Sequence, residues 1–191
     1  MRRVVSSWQV IDGVFKEHAH STYRALRPPV TGRKLSQLEK LVGNKLPHDL
    51  ASSLLVHDGM RSTTELVNFF TLLPAAQMAD WWRVGRDVQK LYEFEGDNVT
   101  RTRKIKNDVR WRPGWVPIMA DAGGDLIVCD LDPGPTGKRG QIFPWFNNGS
   151  QEMRVISDSF RAWLDSLAEE LVQRRFSLDD YGTIQLQKQL A

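Results

Sequence analysis

The residues of this sequence best suited to chemistry lie near its middle, where glycines and carboxylates alternate with apolar runs. Gly123 and Gly124 precede Asp125, and Asp130 and Asp132 follow the next apolar run. A glycine pair beside a carboxylate is compatible with a phosphate-binding loop, and alternating aspartates are compatible with a calcium loop. These two chemistries are therefore the first to test against the surrounding sequence.

The residues that follow disfavour both kinds of site. A phosphate loop leads from a strand into a helix N-terminus, whereas the glycine pair leads into the β-branched run LIVCD. A P-loop ends in Gly-Lys-Ser/Thr, but Arg139 follows Gly137 and Lys138, and no Glu closes a calcium loop. We expect no metal and no cofactor, and predict a hairpin with DPGPTGKRG as its connection.

No nucleophilic or metal-binding set can be assembled elsewhere in the sequence. Cys129, the only cysteine, lies within an apolar run and is expected to be a buried side chain rather than a nucleophile. Among the four histidines only His18 and His20 are close, and a spacing of two places them on different sides of a helix. We therefore predict that the protein is not an enzyme.

Positive charge is concentrated in residues 101–112, which hold six Arg or Lys and one Asp. This segment carries +5, so the rest of the chain carries −2 against a total of +3. Three interpretations remain: a solvated loop, contact with an acidic protein partner, or nucleic-acid binding with stacking on Trp111 and Trp115. Nucleic acid is the least favoured, because the remainder of the chain is mildly acidic. The candidate contacts are Arg101, Arg103, Lys104 and Lys106.

Composition and length favour one cytoplasmic domain. The chain has 191 residues, of which 41% are hydrophobic and 26% charged, as in ordinary globular proteins. No apolar run approaches the roughly 20 residues of a membrane-spanning helix. One cysteine suits a reducing compartment.

Apolar residues at three- and four-residue steps predict helices at both ends of the chain. We expect helices around Val4–Phe15, around Leu35–Val42 ending at Gly43, from Pro47 to Gly59, from Pro74 onward, and around Phe160–Leu171 with Asp158 as N-cap.

Runs rich in β-branched and aromatic residues predict strands between these helices. The predicted strands are 65–73, 115–120, 125–131, 140–146 and 152–157. Short turns between successive strands favour antiparallel pairing. The prediction is an α+β fold in a single domain, 1–191, with an antiparallel sheet of about five or six strands packed against N-terminal and C-terminal helices. A basic insertion around 83–114 and a short tail, 174–191, complete it.

Several polar and aromatic residues are candidates for binding a partner. Asp121, Asp125, Asp130 and Asp132 either stabilise turns or form an acidic patch for a basic partner. His57 and Asp58 either end a helix or line a binding face. Trp81 and Trp82 cannot both face inward on one helix, so one of them, with Trp82 as the candidate, is a possible exposed anchor.

The ordered segments resemble the SUKH superfamily. They are LSQLEKLVGNKLPHDLASSLLVHDG, FTLLPAAQMADWW, WVPIMADAGGDLIVCDLDPGPTGKRGQIFPW and SDSFRAWLDSLAEEL, with Trp8 and Ile11 in the first helix. The long 83–114 insertion departs from the compact pattern of that group. The superfamily contains yeast cell-wall assembly and killer-toxin-resistance regulators and many bacterial immunity proteins.

The resemblance implies an α+β domain without an active site that acts by binding another protein. The leading functional hypothesis is an immunity protein that blocks the active site of a cognate bacterial toxin domain. The alternatives are a regulatory interaction or scaffold domain without a toxin partner, and a nucleic-acid-binding protein that uses residues 101–112. The toxin and its chemistry do not follow from the resemblance.

Overall fold

A computed structural model describes residues 2–61, 64–91, 103–106, 109–148 and 153–187. Arg101 lies outside these described residues, as do parts of the predicted 83–114 insertion. The helices are α1 (Arg2–His18), α2 (His20–Ala25), α3 (Gly32–Val42), α4 (His48–Leu54), α5 (Ala75–Leu91) and α6 (Phe160–Val172). The strands are β1 (Thr71–Leu72), β2 (Trp115–Ala120), β3 (Leu126–Asp130), β4 (Gln141–Trp145), β5 (Phe176–Leu178) and β6 (Ile184–Leu186).

The strands form two antiparallel sheets, which confirms the predicted α+β class. The main sheet has four strands in the order β1-β2-β3-β4, and β5 pairs with β6 in a separate hairpin. The six strands are thus divided between two sheets rather than joined in one. Within the described residues, no helix is both long and apolar enough to cross a membrane.

Both faces of the main sheet are covered. All residues of β2, β3 and β4 are buried, so neither face is left to solvent as in many antiparallel sheets. Helix α5 packs on β2 and α6 packs on β4. On one face, Trp111 stacks edge-on against Trp115 and Trp145, and Trp115 stacks in the same way on Phe143.

Two predicted strands are mostly wrong. Of 65–73, only β1 is a strand, because Asn68 and Phe69 both have positive φ and reverse the chain in a tight turn. Of 152–157, Ser157 makes a single bridge to Ile142, and no strand forms among the described residues before it.

Three predictions at element ends are corrected. Helix α4 ends at Leu54, well before Gly59. The N-cap of α6 is Ser159, whose hydroxyl accepts from the Ala162 amide at 3.1 Å, while Asp158 pairs with Lys138. The predicted tail contains the β5–β6 hairpin.

A glycine in α5 lets the helix lie flat on the aromatic cluster. A Cβ placed on Gly85 would come within 2.3 Å of the Trp111 ring. Glycine weakens a helix interior, so its presence here is explained by this close contact. The contact places α5 against the residues that lead into β2.

We expect Gly85→Ala to lower the free energy of unfolding by about 1–3 kcal/mol through overpacking against Trp111. Gly13→Ala is the matched control, because Gly13 also lies in a helix but has nothing within 4 Å of its Cβ position. That change should raise stability by about 0.5–1 kcal/mol. Urea unfolding of both variants measures the difference, and equal effects would contradict the packing explanation.

Asp130, a candidate for the acidic patch, is instead a buried acid at the end of β3. It is 0% exposed, and its carboxylate accepts from the Asp132 amide at 2.9 Å and from Gln141 Nε2 at 2.9 Å. Burial raises the pKa of the Asp130 carboxyl, and the hydrogen bonds from Gln141 and Asp132 only partly oppose this. The native state therefore binds this proton more tightly than the unfolded chain does.

A raised native pKa makes the contribution of Asp130 to stability largest below its unfolded pKa and smaller as pH rises through the native value. We expect the free energy of unfolding of the wild type to fall relative to Asp130→Asn as pH increases from 3 to 7. Asn cannot ionise, so its lost hydrogen bond adds only a constant offset. Urea titrations across this range test the slope, and a difference that does not change with pH would contradict it.

Candidate partner-binding surface

His57 and Asp58 stabilise the fold rather than form an open face. The His57 ring lies edge-on to Trp8 at 4.9 Å, with Nε2 3.1 Å from an Asp12 carboxylate oxygen and Nδ1 3.2 Å from the Arg27 carbonyl. Asp58 is buried, and its Oδ1 accepts from the Ala75 amide at 2.8 Å. His57 thus ties α1 to the chain after α4, and Asp58 caps the start of α5.

Trp82 is the inward member of its pair, so the assignment of Trp82 as the exposed anchor is wrong. Its ring is buried, and Nε1 donates to the Pro113 carbonyl at 2.9 Å. Trp81 is half-buried. Helical geometry puts neighbouring residues on different sides, and the sequence alone did not indicate which one faces the core.

Asp121 and Asp125 lie at one end of the main sheet, in the β2–β3 turn. Asp121 Oδ1 accepts from the Asp125 amide at 2.8 Å, and Asp125 Oδ1 accepts from the Asn147 amide at 2.8 Å. Both residues are half-buried. The turn-stabilising alternative therefore describes these contacts.

At the opposite end of the sheet, the chain near residue 104 lies against the β3–β4 connection. The Gly134 amide donates to the Lys104 carbonyl at 2.8 Å. A Cβ on Gly134 would be 2.2 Å from the Arg103 carbonyl oxygen, and one on Gly137 would be 2.2 Å from that of Lys104. The two glycines permit this close backbone approach, which no side chain would allow.

The side chain of Gln141 holds the chain near residue 104 against the β3–β4 connection. Its Nε2 donates to the Lys104 carbonyl at 2.8 Å and to Asp130 Oδ2 at 2.9 Å, while its Oε1 accepts from the Lys138 amide at 3.0 Å. Ile105 is only 2% exposed and anchors the segment in the core. The described part of the basic segment is therefore anchored rather than a freely solvated loop.

This packing collects cations from separate parts of the sequence on one surface, which we call the basic face. Its segments meet through the backbone contacts above, and Arg139 also donates to the Lys45 carbonyl at 2.7 Å. The basic face consists of Arg103, Lys104, Lys106, Arg112, Lys138 and Arg139.

Two carboxylates lie within the basic face and partly neutralise it. Asp132 pairs with Lys106 and, at 3.1 Å, with Arg112. Asp158 pairs with Lys138, and the hydrogen bond and charge of this lysine lower the pKa of the Asp158 carboxyl. The six cations outnumber these two carboxylates, so the surface remains positive, and Arg103, Lys104 and Arg139 are exposed on it.

The described residues offer no cluster suited to a metal ion. Among them, no group of three or more His, Cys, Asp or Glu side chains is placed to hold a metal ion. Cys129 is fully buried, and burial raises the pKa of its thiol, which disfavours the reactive thiolate. The basic face is suited to binding through charge.

Sequence reasoning missed three members of the basic face, Arg112, Lys138 and Arg139, and misplaced two aromatics. Lys138 and Arg139 were considered only as part of a hairpin connection, although their position between glycines in GKRG indicated an exposed turn. Trp111 and Trp115 are buried, so the proposed stacking of bases on them is wrong.

The fungal relatives of this chain are longer proteins. The glucan synthesis regulatory protein of Neurospora crassa is 27% identical over 215 aligned residues, covering 93% of this chain and 40% of that protein. The cell wall assembly regulator SMI1 of Saccharomyces cerevisiae is 26% identical, covering 92% of this chain and 42% of that protein. This chain thus spans about two fifths of their length.

A bacterial protein is also similar. The SPbeta prophage-derived uncharacterized protein YokK of Bacillus subtilis is 26% identical over 154 residues, covering 75% of this chain and 77% of that protein. The family model of the SMI1 / KNR4 family (SUKH-1) matches residues 29–166, which is most of the chain. The chain therefore belongs to the SMI1/KNR4 (SUKH-1) family.

Proposed function

We propose that this chain is a regulatory protein-interaction domain without catalytic activity, and that it binds an acidic surface of a partner protein through the basic face. This was the second hypothesis drawn from the sequence. It is supported by the two fungal relatives, whose names describe regulators of glucan synthesis and of cell wall assembly. A single domain over residues 1–191 and a cytoplasmic location remain predictions.

One observation carries the proposal: the backbone near Lys104 is held against the β3–β4 connection, so that two basic stretches form one surface. Cations on a fixed backbone lose less backbone entropy on binding than cations on a free loop. Complementary charge also speeds association and discriminates against partners of the wrong sign. A surface of this kind suits recognition of an acidic protein.

Reversing the exposed charges of the basic face should weaken partner binding. We expect Arg103→Glu, Lys104→Glu and Arg139→Glu together to slow association by on the order of tenfold to hundredfold. The association rate is measured by surface plasmon resonance at low and at high salt. The binding partner is a protein that co-purifies with the full chain from its host. The salt dependence of the association rate should decrease in the variant.

The matched control reverses the same number of charges away from the basic face. Arg24→Glu, Arg33→Glu and Arg174→Glu alter exposed arginines on α2, on α3 and after α6. This variant should retain most of the wild-type association rate. Equal losses in both triple variants would mean that net charge, rather than the basic face, governs binding, and would overturn the proposed surface.

Toxin immunity is the second candidate function, and the Bacillus relative favours it. This chain covers 77% of that prophage protein, so the domain alone makes up most of it. Co-expression with the product of the neighbouring gene is the test. If that product stops growth and this chain restores it, the immunity function is supported; if the chain gives no protection against a toxic neighbour, it is contradicted.

A further inference from the structure

The turn that precedes β1 holds a large aromatic residue in a conformation that suits glycine. Asn68 and Phe69 have φ values of 48° and 71°, and the turn closes with the Phe70 amide donating to the Val67 carbonyl at 2.9 Å. Two-residue turns with both central φ values positive favour Asn followed by Gly. Asn68 fits this preference, whereas a bulky residue such as Phe69 at positive φ is an outlier.

The surrounding structure enforces this turn but does not bury Phe69. The Asn68 amide donates to the Ile184 carbonyl at 3.2 Å, and the Leu186 amide donates to Asn68 Oδ1 at 2.7 Å. The Phe69 residue is 63% exposed. Packing against the described residues thus covers only a minor part of Phe69 and offsets little of the strain, so a contact outside the chain is the better explanation of this side chain.

Acidic and aromatic residues lie beside this turn, on the tip of the β5–β6 hairpin. Tyr181 is 89% exposed there, next to Asp179 and Asp180. The hydrogen bonds of Asn68 to Ile184 and Leu186 hold the turn against β6, so this hairpin and the turn are neighbours. We call Phe69, Asp179, Asp180 and Tyr181 together the aromatic knob.

A groove with an apolar floor and lysines along one side lies between α3 and α5. Its volume is about 760 Å³, and its floor includes Leu38 and Leu41 on α3 and Ala79 on α5. The small alanine leaves the floor open, and no side chain among the described residues fills the space. Lys34 and Lys40 line its α3 side.

The charge of this groove is positive. Arg83 on the α5 side pairs with Asp80 at 2.7 Å, so these two neutralise each other. The remaining charged side chains lining it, Lys34 and Lys40, are exposed lysines. The groove therefore offers an apolar floor and a basic rim, which complement an aromatic side chain flanked by carboxylates.

We infer that a second copy of this chain docks its aromatic knob into the α3/α5 groove. Phe69 occupies the apolar floor, and the exposed Asp180 of the knob faces Lys34 and Lys40. The contact joins two different surfaces, so each copy in a pair keeps one unused knob and one unused groove. Assembly therefore continues head to tail as the concentration rises.

Sedimentation velocity of the full chain over a range of concentrations tests this inference. The wild type should form species larger than dimers, whereas Phe69→Gly and the double variant Lys34→Glu with Lys40→Glu should each stay monomeric. Phe69→Gly should also melt at the same or a higher temperature than the wild type, because glycine relieves the strained turn. If Phe69→Gly is stable but monomeric, Phe69 acts in the contact between copies and not in folding.

Mixing the two variants gives the sharpest result. Phe69→Gly keeps its groove and the lysine double variant keeps its knob, so an equimolar mixture should form dimers that grow no further. Val172→Ala controls for loss of an exposed apolar side chain, since Val172 is 62% exposed, and it should assemble like the wild type.

Three outcomes would overturn the inference: a wild type that stays monomeric at millimolar concentration, a Phe69→Gly variant that assembles normally, or a mixture without dimers. The charge-reversed basic face should leave self-assembly unchanged, so the two proposals fail separately.

Discussion

The side-chain amide of Gln141 holds together two parts of the chain that lie 37 positions apart. Its nitrogen donates to the Lys104 carbonyl and to Asp130, and its oxygen accepts from the Lys138 amide. A buried polar network of this kind stabilises a unique arrangement only when its members are satisfied, as these are. The position of the basic segment on the β3–β4 connection, and with it the basic face, depends on this network.

The covered sheet restricts where a partner can bind. Because both faces of β2, β3 and β4 are buried, a partner contacts the ends of the sheet, the outer surfaces of the helices, or the loops and the β5–β6 hairpin. At one end, Asp121 and Asp125 direct carboxylate oxygens to backbone amides of the turn and of Asn147. The other end exposes cations. The two ends therefore differ in charge, and the more strongly charged one is the better candidate for recognition.

Local pattern predicted the regular elements, but not the contacts between distant segments. The strands 115–120, 125–131 and 140–146 agree with β2, β3 and β4 to within one residue, since β-branched runs and turn residues bound them. The 65–73 prediction failed because Phe69 occupies a turn position that its residue type disfavours. The burial of Asp130 and the grouping of Lys104 with Lys138 arise only from tertiary packing, so neither has a local signature.

Zero-length cross-linking tests most directly whether the basic face meets an acidic partner. A carbodiimide joins a lysine amine to a carboxylate only when the two are in contact, and the full chain can be treated in complex with its partner. Cross-links from Lys104, Lys106 and Lys138 to Asp or Glu of the partner are expected. Cross-links confined to lysines of the helices, such as Lys16 and Lys90, would contradict binding through the basic face.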